Sequence, residues 1–240
     1  MAASWKAKYM ARPRLLKAED LDDLRRFDTC MIANAVEKFE VRLHNTGFTN
    51  GRIRCMFPDE PPMVGYAVTA RLRSGEPPMA GTFRDRADFW NRILEYPAPR
   101  VLVLEDMDRP PGRGAFVGDA HAAILKALGC IAYVTNGAVR ELSSVRAIGI
   151  QLFAQSVAVS HAYAHIFDLE ATVTVDGMEV CPGDLLHGDE HGVITIPSRI
   201  ATEIPKVAAG LLEQERRLIG FCQSSDFSVA KLSEVIKKMQ

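Results

Sequence analysis

The chain has 240 residues, 48% of them hydrophobic and 25% charged, which suits one large globular domain with terminal additions. A formal net charge of -1 leaves no basic footprint, which excludes nucleic acid as the expected partner. Five widely spaced cysteines with no C-x-x-C pair (Cys30, Cys55, Cys130, Cys181, Cys222) read as reduced thiols of a cytoplasmic protein. Residues 1–18 are basic and irregular, an arm without a signal-peptide core, and no apolar run is long enough to span a bilayer, so no membrane partner is expected.

From Glu19, LDDLRRF and then Thr29 to Phe39 predict two helices, the second capped by Asp28 or Thr29, with Met31, Ile32, Ala35, Val36 and Phe39 facing inward. Residues 42–62 hold glycine, asparagine and three prolines and read as loop. Val64 to Arg73 reads as a strand, Ser74 to Arg84 as a loop, and Asp85 to Glu95 as a helix whose Phe89 and Trp90 belong to the core. Arg100 to Asp106 is near-continuously apolar, the mark of a strand covered on both faces. In the loop that follows, Gly112-x-Gly114 lacks the remaining glycine and the Lys-Ser/Thr of a nucleotide-binding loop.

The stretch from Gly114 to Glu141 carries the clearest chemistry. A short apolar run ends in Gly118-Asp119, an alanine-rich helix covers Ala120 to Leu128, Gly129 stops it, and a strand from Cys130 leads to Asn136-Gly137-Ala138-Val139-Arg140-Glu141. Asp119 thus stands at a helix start, where free amides and the helix dipole favour an anion. Arg140 and Glu141 follow a buried strand at its carboxyl end, where open α/β sheets place ligand crevices. The competing reading makes Asp119 a plain cap and Arg140-Glu141 a solvated turn.

Downstream, Leu142 to Ile148 predicts a short helix and Gln151 to Ala154 a strand. His161 and His165 are four apart, which on a helix would share a face as metal ligands do, although two structural histidines fit better because no further ligand motif is near. Ala171 to Val180 alternates about Asp176-Gly177, a hairpin signal. Asp184 and Asp189 read as turn caps, and His187 and His191 as isolated surface histidines. A helix from Ser198 to Ile219, slowed by Pro205, and another over Asp226–Lys238 with Val229, Leu232, Val235, Ile236 and Met239 on one stripe close the chain.

Several of these segments together resemble the class II pyruvate aldolases of the 4-hydroxy-4-methyl-2-oxoglutarate aldolase type, a superfamily that also contains the RraA-like ribonuclease E inhibitors. The resemblance rests on the Thr29–Ala35 helix, the G-x-A-x-T strand at Gly65–Thr69, Asp119 with twenty residues before Arg140 and its following acid, and the run Pro182, Gly183, Asp184, Asp189, Gly192, Val193 and Pro197. It covers roughly residues 28–197.

The resemblance implies a swivelling α/β/β-type single domain over 19–197, α/β with a mixed sheet and flanking helices, extended by C-terminal helices over 198–240. It implies a homotrimer or homohexamer with active sites at interfaces, and a lyase that cleaves or decarboxylates small 2-oxo acids through a pyruvate enolate. Arg140 would hold the keto or enolate oxygen with its fork of donors. Asp119 and Glu141 would hold Mg2+ or Mn2+, largely through waters, and Asp119 would shuttle a proton. Gly118 and the backbone amides of Ala120 and His121 would bind the substrate carboxylate. An acid from a neighbouring C-terminal helix, Glu213 or Glu215, would complete the site. Two departures stand out: Glu141 replaces the family's Asp, and Asn136 stands where Asp is usual. The alternative is a non-catalytic RraA-like regulator that binds a protein partner, a branch without the acid at position 119.

Overall fold

The apolar run at Arg100–Asp106 becomes an inner strand of an eight-stranded mixed sheet in the computed structural model, which describes residues 15–78 and 86–237. The elements are α1 (Ala18–Arg25), α2 (Thr29–Glu37), β1 (Arg54–Cys55), β2 (Met63–Arg73), α3 (Arg86–Leu94), β3 (Arg100–Asp106), β4 (Ala115–Val117), α4 (Asp119–Ala127), β5 (Cys130–Thr135) and β6 (Ala138–Val139). They continue with α5 (Leu142–Ile148), β7 (Gln151–Ala154), β8 (Ser156–Val157), β9 (His165–Leu169), β10 (Val173–Val175), β11 (Met178–Val180), β12 (Leu185–Asp189), β13 (Gly192–Ile196), α6 (Ile204–Cys222) and α7 (Val229–Lys237). The expected arm lies outside the described residues up to position 14, as do the second half of the Ser74–Arg84 loop, Asp85, Lys238 and Met239.

The main sheet runs β1-β7-β5-β3-β2-β12-β13. Its centre, β7-β5-β3-β2, is parallel, and antiparallel strands close both sides. The long β2 pairs with β12 through its first half and with β9 through its second. Alternation along β3 explains why its sequence shows no polar face. Leu102 and Leu104 pack with Phe89 and Ile93 of α3, Leu125 of α4 and Val145 of α5. Val101 and Val103 face the other way, onto Val173, Val175, Met178 and Val180 of the β10–β11 hairpin. Helices on one face and a hairpin on the other make the α/β/β layering. Asp176 and Gly177 both have positive φ at the hairpin tip (48° and 81°), as a primed two-residue turn demands. A third cluster seats α1, α2 and the start of α6 on β2, β12 and β13 through Leu24, Ile32, Tyr66, Ile194 and Ile204.

Three expectations need correction. The penultimate helix begins at Ile204 rather than Ser198, and Pro205 lies in its first turn, where a missing amide hydrogen breaks no helical bond. His161 and His165 share no helix: Ala162 has φ 45°, and His165 opens β9, drawn in by pairing with Arg73 of β2. His187 is fully buried on β12, not a surface histidine, because this strand lies between β2 and β13 and under α2. Its Nδ1 meets Thr29 Oγ1 at 3.0 Å, and burial pushes its pKa down to about 4. Asp189 beside it accepts hydrogen bonds from the amides of Thr29 (2.7 Å) and His191 (2.9 Å), so this turn anchors the start of α2.

Candidate active site

A second, three-stranded parallel sheet positions the site. In it β6 lies between β4 and β8, with Ala115 opposite Ala138 and Val117 opposite Val139. The amide of Arg140 donates to the carbonyl of Val117 at 3.2 Å. The ends of β4 and β6 are therefore neighbours, although a helix and a strand separate them in sequence. Gly118 follows β4 as the N-cap residue of α4, so Asp119 is the first helical residue rather than the cap. Glu141 follows β6 in the left-handed conformation, φ 57°, and precedes α5.

The predicted residues do meet here. Glu141 Oε2 accepts the backbone amide of Asp119 at 2.8 Å, and Glu141 Oε1 pairs with the Arg140 guanidinium at 2.8 Å. Asp119 turns its own Oδ1 onto the Ala120 amide at 2.6 Å. Asp119 and Ala120 are exposed, and the side chains of Arg140 and Glu141 are about a third exposed (29% and 35%). Gly118 lets these side chains lie close: a Cβ there would displace Glu141 Oε2 and press on Arg140 Nε. His121 points its ring inward, against Phe116 (4.7 Å between centroids) and Trp90 (6.1 Å), so it ties α4 to α3 while its backbone stays in the first helical turn.

Beneath this loop the chain is fastened by Asn136 and by two acids, Asp106 and Asp108, that the sequence did not single out. Asn136 Oδ1 accepts the Asp106 amide (2.7 Å) while its Nδ2 donates to the Asp106 carbonyl (3.0 Å), clasping the ends of β5 and β3. The Asp106 carboxylate is buried and takes the amides of Gly112 (2.7 Å) and Asp108 (2.9 Å). Burial raises its pKa, and those two amides oppose the rise. Gly137 lets this carboxylate approach, since a Cβ would lie 2.8 Å from Asp106 Oδ2. Asp108 in turn accepts Ser74 N, Ser74 Oγ and Gly75 N, and Ser74 Oγ accepts the Gly114 amide. The amides of Gly112 and Gly114 are thus spent inside the protein and form no phosphate cradle. The visible signals for this network were Asn136 and an acid closing the apolar run of β3.

The donors suit a hard cation. Two exposed carboxylates with no nitrogen or sulfur donor match Mg2+, which keeps most of its waters and takes one or two protein carboxylates. Among the described residues, the trio of close metal-capable side chains lies elsewhere, at Asp189, Glu190 and His191. There Asp189 is buried with both oxygens serving Thr29 and His191, whereas the Glu141 side chain is a third exposed. His161 and His165 each turn Nδ1 to a nearby backbone carbonyl, of Ala162 and Tyr163.

Residues 29–195 match the family model described as RraA-like, Aldolase/RraA. The chain belongs to the RraA-like family. A relative in Halalkalibacterium halodurans, provisionally named a 4-hydroxy-4-methyl-2-oxoglutarate aldolase, is 29% identical over 139 residues. That match takes in 56% of this chain and 60% of the relative, so the chain spans about three-fifths of the relative's length. Among solved structures, an uncharacterised protein of Pseudomonas syringae pv. tomato DC3000 superposes with a TM-score of 0.71 at 22% identity, over 93% of this chain and 95% of its own. Streptomyces coelicolor RraAS2, described as an unusual member of the RNase ES inhibitor RraA protein family, gives 0.66 at 20% identity over 84% and 96%. These structures establish a shared RraA-like fold. No helix among the described residues is long and apolar enough to cross a membrane.

Proposed function

We propose that this RraA-like chain is a divalent-metal-dependent lyase that cleaves or decarboxylates small 2-oxo acids through a pyruvate enolate. The observation that carries the reading is that Glu141 joins the Arg140 guanidinium to the backbone amide of Asp119 at one helix start, beside a glycine whose Cβ would displace that carboxylate. The Arg140 guanidinium supplies a fixed, delocalised cation for the developing enolate oxygen. Backbone amides at Ala120 and His121, at the positive end of α4, receive the substrate carboxylate. Asp119 accepts the proton of the substrate hydroxyl, directly or through a water. Asp119 and Glu141 would hold Mg2+ or Mn2+, whose chemistry is to polarise the keto and carboxylate oxygens together.

The site lies open on the single chain, which fits a homotrimer or homohexamer whose neighbouring copy walls it off. Glu213 and Glu215 on the exposed part of α6 are the candidate acids from that copy, Glu213 being held by Arg217 at 3.0 Å. Incubation with oxaloacetate and Mg2+ in a pyruvate-coupled assay tests the proposal. Metal-dependent pyruvate release above the spontaneous rate is expected. Its absence would move the chain to the non-catalytic, partner-binding branch of the family.

A further inference from the structure

We propose that Glu141 is a built-in occupant of the anion position, so that a substrate carboxylate or enolate oxygen enters only when this side chain withdraws. The inference rests on the lyase reading and adds a gate to it. Of the donors that reading gives to the substrate, two are already engaged by the chain's own carboxylates. The Arg140 guanidinium pairs with Glu141 Oε1, and the Ala120 amide is covered by Asp119 Oδ1. The Asp119 amide, the first donor of the same helix end, is held by Glu141 Oε2. One carboxylate therefore neutralises the cation and caps the helix together, much as a bound organic acid would.

Glutamate's extra methylene adds about 1.5 Å of reach over aspartate. Its side chain is about a third exposed and is held by no other hydrogen bond or ion pair among the described residues, so withdrawal needs only a change of rotamer. The consequence is competitive. An entering anion binds only the fraction of molecules with Glu141 withdrawn, and its apparent affinity falls by that fraction. A divalent cation that draws on the Glu141 carboxylate would release Arg140 and the Asp119 amide, so cation would favour anion.

The test is calorimetric titration of oxalate, a stable mimic of the pyruvate enolate, into metal-free full-length protein. Wild type, Glu141→Gly and Glu141→Ala are compared, with thermal melts confirming the fold. Glycine is the safer variant because φ 57° favours it. Both variants should bind oxalate about tenfold more tightly than wild type without metal, a difference typical of losing a charge-assisted competitor. Equal metal-free affinities in all three would overturn the gate and leave the lyase reading standing. No oxalate binding by any of them, with or without Mg2+, would overturn the lyase reading and the gate with it.

Discussion

Replacing Asn136 by Asp would restore the residue usual in the aldolases, yet here it should destabilise the protein. Asn136 uses both ends of its amide, accepting from the Asp106 amide at 2.7 Å and donating to the Asp106 carbonyl at 3.0 Å. Aspartate keeps the first bond and loses the second, leaving a carboxylate oxygen facing a carbonyl oxygen across about that distance. The lost bond is worth about 1 kcal/mol, and the unpaired, partly desolvated acceptors add another ~1–3 kcal/mol. The buried Asp106 carboxylate lies close by and adds repulsion of the same sign. The effect must depend on pH in a definite direction. A protonated carboxyl can donate to the carbonyl, so the penalty should be nearly absent below the ordinary carboxylate range and grow as pH rises through it. Urea denaturation of wild type and Asn136→Asp at pH 7.5 and pH 4.5 measures this as the difference between the two proteins at each pH. A deficit of about 2–4 kcal/mol at the higher pH that shrinks at the lower one is expected. Equal stability at pH 7.5, or a deficit of one size at both pH values, would refute the clasp as the reason for asparagine.

Arg140→Lys should keep the melting temperature and lose most oxaloacetate turnover, because a point charge replaces a two-pronged donor; unchanged kcat/KM would argue against this site. Gly118→Ala should also fold, since the added methyl meets the mobile end of Glu141, but it should displace that carboxylate and cost at least about tenfold in turnover; full activity would show that the close approach is incidental. His187 should make the protein acid-sensitive. Burial lowers its folded pKa from 6.5 to about 4, so the unfolded chain gains a proton first as pH falls. Stability is complete above about pH 6.5 and declines towards pH 4, by about 3 kcal/mol in all. His187→Gln should flatten that part of the profile in urea denaturation, and an unaltered profile would place the acid sensitivity elsewhere.

Local pattern carried much of this architecture. The strands β3 and β7, the helix α5 and the Asp176-Gly177 turn each announce themselves within a window of ten residues, through apolar runs, period or turn chemistry. The juxtaposition of Asp119 with Arg140 and Glu141 was also legible, because a helix followed by a strand returns the chain to where it started. What escaped depends on distant partners. The strands β4 and β6 have three and two residues, too few for any period, and exist only through each other. The spacing of His161 and His165 fits a helix, but β2 claims the second histidine for a sheet. His187 looks polar and exposed in sequence, and only its position under α2 shows why it is buried and neutral.

The two departures from the aldolase pattern lie at opposite ends of the six-residue segment that carries β6, and the structure gives each a partner. Asn136 needs an amide because it faces both an N–H and a C=O of Asp106, which no ionised carboxylate could satisfy. Glu141 needs the longer side chain because it spans from the far end of the loop to the Asp119 amide while still pairing with Arg140. Both changes increase what the loop bonds within its own chain, one fastening its base and the other closing its tip. On the proposed reading, the Glu141 contacts would therefore raise the cost of binding an anion at the site. An RraA-like chain so altered should hold small anions weakly unless something else takes up the Glu141 carboxylate.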